Sequence, residues 1–255
     1  MSSPIWTPAA LSSERRSHES DCWRLVEAQH KVSTLKLTDT LAEQALLENL
    51  LEETKPRLPP EARDLHYLMA APFRYGSIYP GGSRFRRAGR TLGVFYGAER
   101  AQTAVAEMAF HRLLFYAESP ATPWPSNAAE YTAFNAPARS TAALDLTAPP
   151  LDRDRALWTD LQNYEICQAL AEQAREVAVD LIRYRSVRDP EGGCALALLT
   201  PTPFVGRDPV KFETWRMRVG PFGVQALREF PTERYEFSRG TFAADTRLAR
   251  MKWER

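Results

Sequence analysis

The sequence has few cysteines, almost no net charge and no long apolar run. Its 255 residues include only Cys22, Cys167 and Cys194, an odd and widely spaced set that favours free thiols in a reducing cytoplasm over a disulfide framework. A net charge of +1 argues against the basic stripe of a general nucleic-acid binder. No window approaches the length of a membrane span, and residues 1–20 lack the apolar run of a signal peptide. We therefore expect a soluble, cytoplasmic protein with neither a nucleic-acid nor a membrane partner.

Several motifs that carry chemistry are also missing. There is no GxxxxGK[ST] loop and no GxGxxG after a strand, so the common nucleotide-binding loops are not indicated. The four histidines, at 18, 30, 66 and 111, have no metal-ligand spacing, and we expect no metal. No GxSxG elbow supports a serine triad. A glycosidase would need two carboxylates, and only Glu107 stands out.

The first 60 residues are predicted to form an N-terminal arm and a helical extension. Residues 1–18 are rich in Ser and Pro and indicate a loosely ordered arm, and apolar spacing indicates helix over 21–53, with a break near Leu37–Asp39. Leucines between Leu41 and Leu51 form a stripe that could pack on the main domain or form a dimer, and of the two we expect packing on the main domain. Residues 61–255 are predicted to be the main domain.

Two local signals bound the second part of this helical stretch. Thr40 with Glu43 three residues later resembles a capping box, which predicts a helix start. Pro56 cannot continue a helix, which predicts its end.

The main domain mixes strands and helices without a regular repeat, which is typical of the α+β class. Residues 93–98 read as a short strand that leads directly into a helix, and alternation over 131–147 indicates one or two further strands. A long helix is predicted over 155–179. Two strands, over 180–188 and 194–200, follow it and are joined by a turn.

Four short segments carry candidate site residues. They are PFRYG with Arg74 and Tyr75, GGSRF with Arg84, the strand and helix with Tyr96 and Glu107, and YRSVR with Ser186. Each residue has an ordinary explanation by itself: surface arginines, a core tyrosine, an ion-paired or solvated glutamate, a strand serine. Glu107 is the most unusual, because it lies in the most apolar part of its helix.

Together these residue types describe a site for a dinucleotide. Arginines beside glycine-rich turns suit a diphosphate, and an aromatic ring at a strand end offers a stacking face. A carboxylate on the next helix can stabilise a developing cation. With no metal ligands, this set is what cleavage of an N-glycosidic bond in a dinucleotide requires.

The four segments resemble, in order, those of the RES domain, whose members are toxins of Xre–RES toxin–antitoxin pairs. GGSRF resembles its GGR[WF] element, and an apolar run with Tyr96 and then Glu107 eleven residues later resembles its central pattern. The helix and strand that end on Ser186 resemble its third part. The resemblance covers roughly residues 65–200. The helical N-terminal stretch further resembles the ParT-type subgroup.

This resemblance implies an ADP-ribosyltransferase-like fold, a split mixed β-sheet core with flanking helices, and NAD as the substrate. Arg74 and Tyr75 match the family's first Arg-Tyr pair, and Arg84, Tyr96 and Glu107 match its GGR arginine, tyrosine and glutamate. Ser186 matches its serine. The implied roles are catalysis for Glu107, Arg74 and Tyr96, and NAD binding for the arginines, both tyrosines and Ser186, with Arg188 in support.

The resemblance leaves the acceptor of ADP-ribose open. ParT-type members modify a protein, phosphoribosyl-pyrophosphate synthetase, and we favour such a transferase that arrests growth. The alternative is an NAD phosphorylase or glycohydrolase that uses phosphate or water, with Arg86 or Arg87 available for a phosphate. A third reading is a non-enzymatic binding module built on the N-terminal helices. An Xre-type antitoxin is the implied partner.

Overall fold

The computed structural model of the chain describes residues 6–28, 37–75, 80–89 and 92–255. Its strands in these ranges are β1 Arg16–Ser20, β2 Trp23–Glu27, β3 Phe95–Ala98, β4 Ala129–Asn135, β5 Ala138–Asp145, β6 Leu181–Arg185, β7 Cys194–Leu198, β8 Lys211–Gly220, β9 Gly223–Arg228 and β10 Glu233–Ser238. Its helices are α1 Pro8–Ser13, α2 Leu41–Thr54, α3 Tyr67–Arg74, α4 Ala101–Glu118, α5 Arg155–Trp158, α6 Glu165–Glu176 and α7 Thr246–Ala249. Short 3-10 turns lie at Pro60–Ala62 and Leu151–Asp154.

These strands form one mixed sheet in the order β1-β5-β6-β7-β3-β2-β4-β8-β9-β10. Neighbours pair antiparallel except β5 and β6, which are parallel. The two central strands diverge: within the described residues, β2 and β3 pair only at Trp23 and Ala98, whereas β2 pairs with β4 along five residues. The expected α+β class, with a split mixed sheet and flanking helices, is confirmed.

Alternation along the strands places a helix on each face of the first half of the sheet. On β6 and β7, Ile182 and Ala197 belong to the core under α6, while Leu181 and Leu198 belong to the core under α3. This follows from the two-residue period of side chains on a strand. Helix α4 packs on the other half, against β2, β4, β8, β9 and β10. Helix α4 begins three residues after the end of β3, next to the place where β2 and β3 diverge.

The N-terminal region differs from its sequence-based prediction. The helix predicted from residue 21 is wrong for its described part, because Trp23–Glu27 is strand β2. Trp23 and Leu25 are buried and Arg24 is less buried, which is the two-residue alternation of a strand. The same apolar residues also fit a helical spacing, and it is the pairing of this segment with β4 that makes it a strand. The loosely ordered arm predicted over residues 1–18 is wrong for its described part, residues 6–18, since α1 and β1 pack into the structure. The rest of that predicted helix, at 29–36, lies outside the described residues.

Helix α2 begins and ends where the sequence predicts. Thr40 Oγ1 accepts from the Glu43 backbone N–H at 3.1 Å, and the Glu43 carboxylate accepts from the Thr40 N–H at 3.2 Å, which completes the capping box. The predicted packing of its leucines is wrong, because α2 has no buried residue and Leu41 and Leu46 are exposed. The division of the chain at residue 60 stays a prediction, although β1 and β2 bring earlier residues into the sheet.

The helix predicted over 155–179 is interrupted. It consists of α5 and α6, separated by a turn in which Asp160 Oδ1 accepts from the backbone N–H groups of Gln162 and Asn163. Short polar side chains that bond nearby backbone in this way compete with helical hydrogen bonds. In the described part of the chain, no helix is long and apolar enough to cross a membrane.

Candidate active site

A cavity of about 440 Å³ lies at the split between β2 and β3 and is roofed by α4. Cavities of this size with mixed apolar and polar linings are typical of small-molecule sites. Its lining is Trp23, Arg24, Leu25, Gly82, Ser83, Arg84, Arg86, Tyr96, Gly97, Ala98, Ala104, Glu107, Met108, Phe110, His111, Leu114, Tyr164, Tyr184, Val187, Arg188, Ala195 and Arg247. Three of the predicted site residues, Arg84, Tyr96 and Glu107, are among them.

Glu107 is the carboxylate in this lining. It lies two turns into α4, where the neighbours Val105, Ala106 and Ala109 are buried and hold the backbone against the sheet. Its Oε1 accepts a hydrogen bond from Ser186 Oγ at 2.5 Å. A buried stripe beside a half-buried carboxylate therefore fixes the helix while the carboxylate faces the cavity.

Ser186 follows β6 and is buried, and it touches Glu107 rather than lining the cavity itself. Its Oγ accepts from the backbone N–H groups of Arg188 and Asp189 at 3.2 and 3.1 Å. A hydroxyl has one proton, so with two N–H groups directed at the oxygen the proton is left for Glu107. Ser186 is therefore placed to orient the carboxylate, and its predicted contact with NAD stays a prediction.

The loop that carries Ser186 is anchored to the start of α4. Asp189 Oδ2 accepts from Thr103 Oγ1 at 2.7 Å and from the Gly193 N–H at 3.1 Å. A Cβ added at Gly193 would lie 2.2 Å from Thr103 Oγ1, so the close approach requires glycine. The β6–β7 loop and α4 are thus joined at Asp189 as well as at Ser186.

Tyr96 links β3 to the GGSRF turn. Its hydroxyl oxygen accepts from the Phe85 backbone N–H at 3.0 Å and lies 2.8 Å from Ser83 Oγ. Burial raises the pKa of Tyr96 despite these two hydrogen bonds, so the hydroxyl keeps its proton at neutral pH. Gly82, with φ of +67°, allows the tight turn, because a Cβ there would lie 2.2 Å from the Arg86 carbonyl oxygen.

Three arginines near Tyr96 donate hydrogen bonds to backbone carbonyl groups. Arg84 is buried, donates to the Trp158 carbonyl at 2.6 Å and lies over the Tyr164 ring. Arg24 donates to the Tyr96 carbonyl at 2.7 Å, and Arg86 donates to the Tyr75 carbonyl at 3.3 Å. Among the described residues, none of the three has a carboxylate within ion-pair distance.

Arg24 and Arg86 in particular form a cationic pair. Burial lowers the pKa of Arg24, and the charge of Arg86 contributes to the same shift, as expected for like charges close together. Each has a buried Nε without a hydrogen-bond partner. Arg87, by contrast, pairs with Glu172 at 2.6 Å and does not line the cavity. An anion in the cavity would therefore meet Arg24 and Arg86.

A further part of the lining is aromatic and cationic. Phe110 lies one turn after Glu107, and the Arg188 guanidinium stacks on its ring at 3.6 Å from the centroid. His111 and Arg247 also belong to this part of the lining. The stacking of Arg188 on Phe110 fixes both side chains beside Glu107.

Besides Ser186, two predicted site residues do not line this cavity. Arg74, the last residue of α3, pairs with Glu52 of α2 at 2.5 Å between Nη1 and Oε1. The Tyr75 side chain is 43% exposed. The structure does not bring either side chain to Glu107, so their contacts with NAD stay predictions.

Sequence reasoning missed part of the lining. Trp23 and Arg24 fall in the segment that was predicted as helix, although the alternation in WRLVE could have identified a strand. Arg247 lies on a four-residue helix with no motif to mark it. No group of three or more His, Cys, Asp or Glu side chains within the described ranges could hold a metal ion.

The chain matches one family model and resembles a solved structure. The family model of the RES domain matches residues 57–220, which is more than half of the chain. A search of curated proteins gave no significant match. Among solved structures, the chain resembles one described as the crystal structure of the M. tuberculosis MbcT–MbcA toxin–antitoxin complex. The identity is 14%, the TM-score is 0.47, and the match covers 80% of this chain and 89% of that chain.

Proposed function

Since this chain belongs to the RES-domain family, we propose that it cleaves NAD at the nicotinamide–ribose bond and transfers the ADP-ribose. We further propose that it acts as the growth-arresting toxin of a type II toxin–antitoxin pair. One observation carries the chemistry: a carboxylate, Glu107, is oriented by Ser186 into a cavity that also contains Tyr96 and three arginines, Arg24, Arg84 and Arg86, without a carboxylate partner in the described part of the chain. The cavity suits a dinucleotide because aromatic side chains and arginines both line it.

In this mechanism the substrate's diphosphate lies against Arg24 and Arg86, with Arg84 behind them. The arginines match the anion in charge, and their guanidinium groups suit phosphate oxygens. The nicotinamide-ribose lies between Tyr96 and Glu107. Arg74 and Tyr75, which the family resemblance also assigns to NAD, would have to move to reach it.

The carboxylate acts on the ribose. As the bond between C1″ and the nicotinamide nitrogen breaks, the electron pair leaves with nicotinamide, which departs neutral and needs no general acid. Positive charge develops on the ribose, and Glu107 stabilises it. An acceptor then bonds to C1″ and loses its proton. A single carboxylate suffices, unlike the two that a glycosidase uses.

The first candidate acceptor is a protein side chain. It follows from the ParT-type resemblance, which implies phosphoribosyl-pyrophosphate synthetase as the target. The strand at 23–27 reduces the helical likeness on which that resemblance partly rested. Incubation with labelled NAD and cell extract would leave label on protein.

The second candidate acceptor is inorganic phosphate, with water as a variant of the same reaction. In this reading Arg24 and Arg86, a cationic pair with no carboxylate partner among the described residues, receive the acceptor phosphate, and Arg84 is left for the substrate's diphosphate. Arg87, the other residue considered for this role, is neutralised by Glu172. Mass spectrometry of NAD incubated with the protein and phosphate would reveal ADP-ribose-1″-phosphate.

An Xre-type antitoxin that covers the cavity is the partner that family membership implies. The exposed leucines of α2 are available for a macromolecular contact. They would also serve the third reading, a binding module without enzymatic activity. That reading predicts no nicotinamide release at all.

The test of the proposal is Glu107→Gln, which keeps the shape and removes the charge. We expect release of nicotinamide to fall about 10²–10³-fold, as for loss of one charge-stabilising group. Glu118→Gln, at the exposed end of the same helix, is the matched control. A folded Glu107→Gln protein that consumes NAD and inhibits growth like the wild type would refute the mechanism.

A further inference from the structure

A segment beyond the family match reaches the cavity. The RES-domain match ends at residue 220, and the chain after β10 turns into the short helix α7. Asp245 is the N-cap residue of α7 and is 1% exposed. Its carboxylate accepts from Arg188 Nη2 at 3.1 Å, from Arg247 Nη2 at 2.7 Å and from Gln162 Nε2 at 3.2 Å.

Arg188 depends on this carboxylate. Its side chain is 4% exposed, and a buried guanidinium requires a counter-charge and acceptors for its N–H groups. Asp245 supplies the charge, the Leu161 carbonyl accepts at 2.7 Å, and the Phe110 ring lies under the guanidinium plane. The side chain of Arg188 is thereby fixed against α4, three residues from Glu107.

The backbone of the same residue belongs to the support of Glu107. The Arg188 N–H donates to Ser186 Oγ, and Ser186 Oγ donates to Glu107 Oε1. Because Asp245 holds the Arg188 guanidinium, it also restricts the backbone of Arg188 in the loop after β6. We infer that Asp245 is a positioning residue that, through Arg188 and Ser186, fixes the Glu107 carboxylate in the cavity.

This inference deepens the proposed function and rests on it only for the kinetic consequence. Asn caps a helix as well as Asp does, so Asp245→Asn keeps the start of α7 and removes the negative charge together with the acceptor that Oδ2 presents to Arg188 and Arg247. Asp208→Asn, at an exposed position, is the control.

The first measurement needs no activity. Hydrogen exchange in the ligand-free protein should show the amides of Arg188 and Asp189 exchanging at least about tenfold faster in Asp245→Asn, with the strands unchanged. The second is kinetic: kcat for nicotinamide release should fall about ten- to a hundredfold, because small misplacement of a reacting group has such costs. KM should change less than kcat.

A double substitution separates positioning from general damage. If Asp245 acts through Arg188, then Asp245→Asn should add little to Arg188→Met in both measurements, since the link is already broken. Unchanged exchange at 188 and 189 in a folded Asp245→Asn protein, or additive effects in the double variant, would overturn the inference. If the wild type releases no nicotinamide, the proposed function fails, while the exchange measurement still decides the role of Asp245.

Discussion

Ser186 Oγ donates a hydrogen bond to Glu107 Oε1 across 2.5 Å, which joins the loop after β6 to the middle of α4. The sequence placed both residues in one site and assigned Ser186 to the substrate. In the structure the hydroxyl is engaged by the carboxylate and by two backbone N–H groups. Its contribution to catalysis should therefore pass through Glu107.

Ser186→Ala tests this relationship. We expect kcat for NAD cleavage to fall about tenfold or more, because the carboxylate loses its orienting bond, while KM stays within about twofold. Steady-state kinetics of nicotinamide release would measure both, with Ser126→Ala at an exposed position as control. A raised KM with an unchanged kcat would instead mean that Ser186 binds the ribose directly.

Arg86→Gln and Arg87→Gln form a matched pair of adjacent substitutions. Arg86 lines the cavity without a carboxylate partner in the described structure, and Arg87 is paired with Glu172 outside it. A charge-assisted hydrogen bond is worth about 1.5–3 kcal/mol, so Arg86→Gln should raise KM for NAD, or for phosphate, by about tenfold or more. Arg87→Gln should leave both KM values unchanged, and equal effects of the two would contradict the assignment.

The parts of the site that sequence could predict are those encoded by local pattern. The strand with Tyr96 leads into the helix with Glu107, and a short apolar run followed by an amphipathic stretch determines both. Their order along the chain with GGSRF and Ser186 was enough for the family resemblance. These predictions did not require knowing which distant segments pair or pack in the fold.

The parts that could not be predicted depend on pairing and tertiary contact. Strand β2 lies beside β3 because it pairs with β4, more than 100 residues later in the chain. Arg24 thus reaches the cavity through a long-range ladder that its local sequence does not specify. Arg74 shows a different case: its local motif predicts a ligand contact, which stays a prediction, while an ion pair with Glu52 that the local motif does not specify holds its side chain in the structure.

Glu52→Gln tests the predicted role of Arg74. If Arg74 reaches NAD, it must first leave Glu52, so removing that carboxylate should lower KM for NAD. The effect should be at most about fivefold, because an ion pair with one solvent-exposed partner contributes little. Glu53→Gln is the neighbouring control. If KM is unchanged in both Glu52→Gln and Arg74→Gln, Arg74 does not contact the substrate.

Protonation of Asp245 at acid pH should weaken its ion pairs with Arg188 and Arg247. Burial by itself would raise the pKa of Asp245, but hydrogen bonds from Arg247 and the charges of Arg247 and Arg188 outweigh it and hold the pKa below its ordinary value of 3.8. A depressed pKa stabilises the fold above that ordinary value, and the contribution is lost as pH falls through the folded-state pKa. The difference in free energy of unfolding between wild type and Asp245→Asn should therefore be constant from about pH 5 to 7 and shrink below about pH 3.8. Urea unfolding at pH 6, 4 and 3 would measure it, and a difference that persists undiminished at pH 3 would mean that the charge of Asp245 does not stabilise the fold.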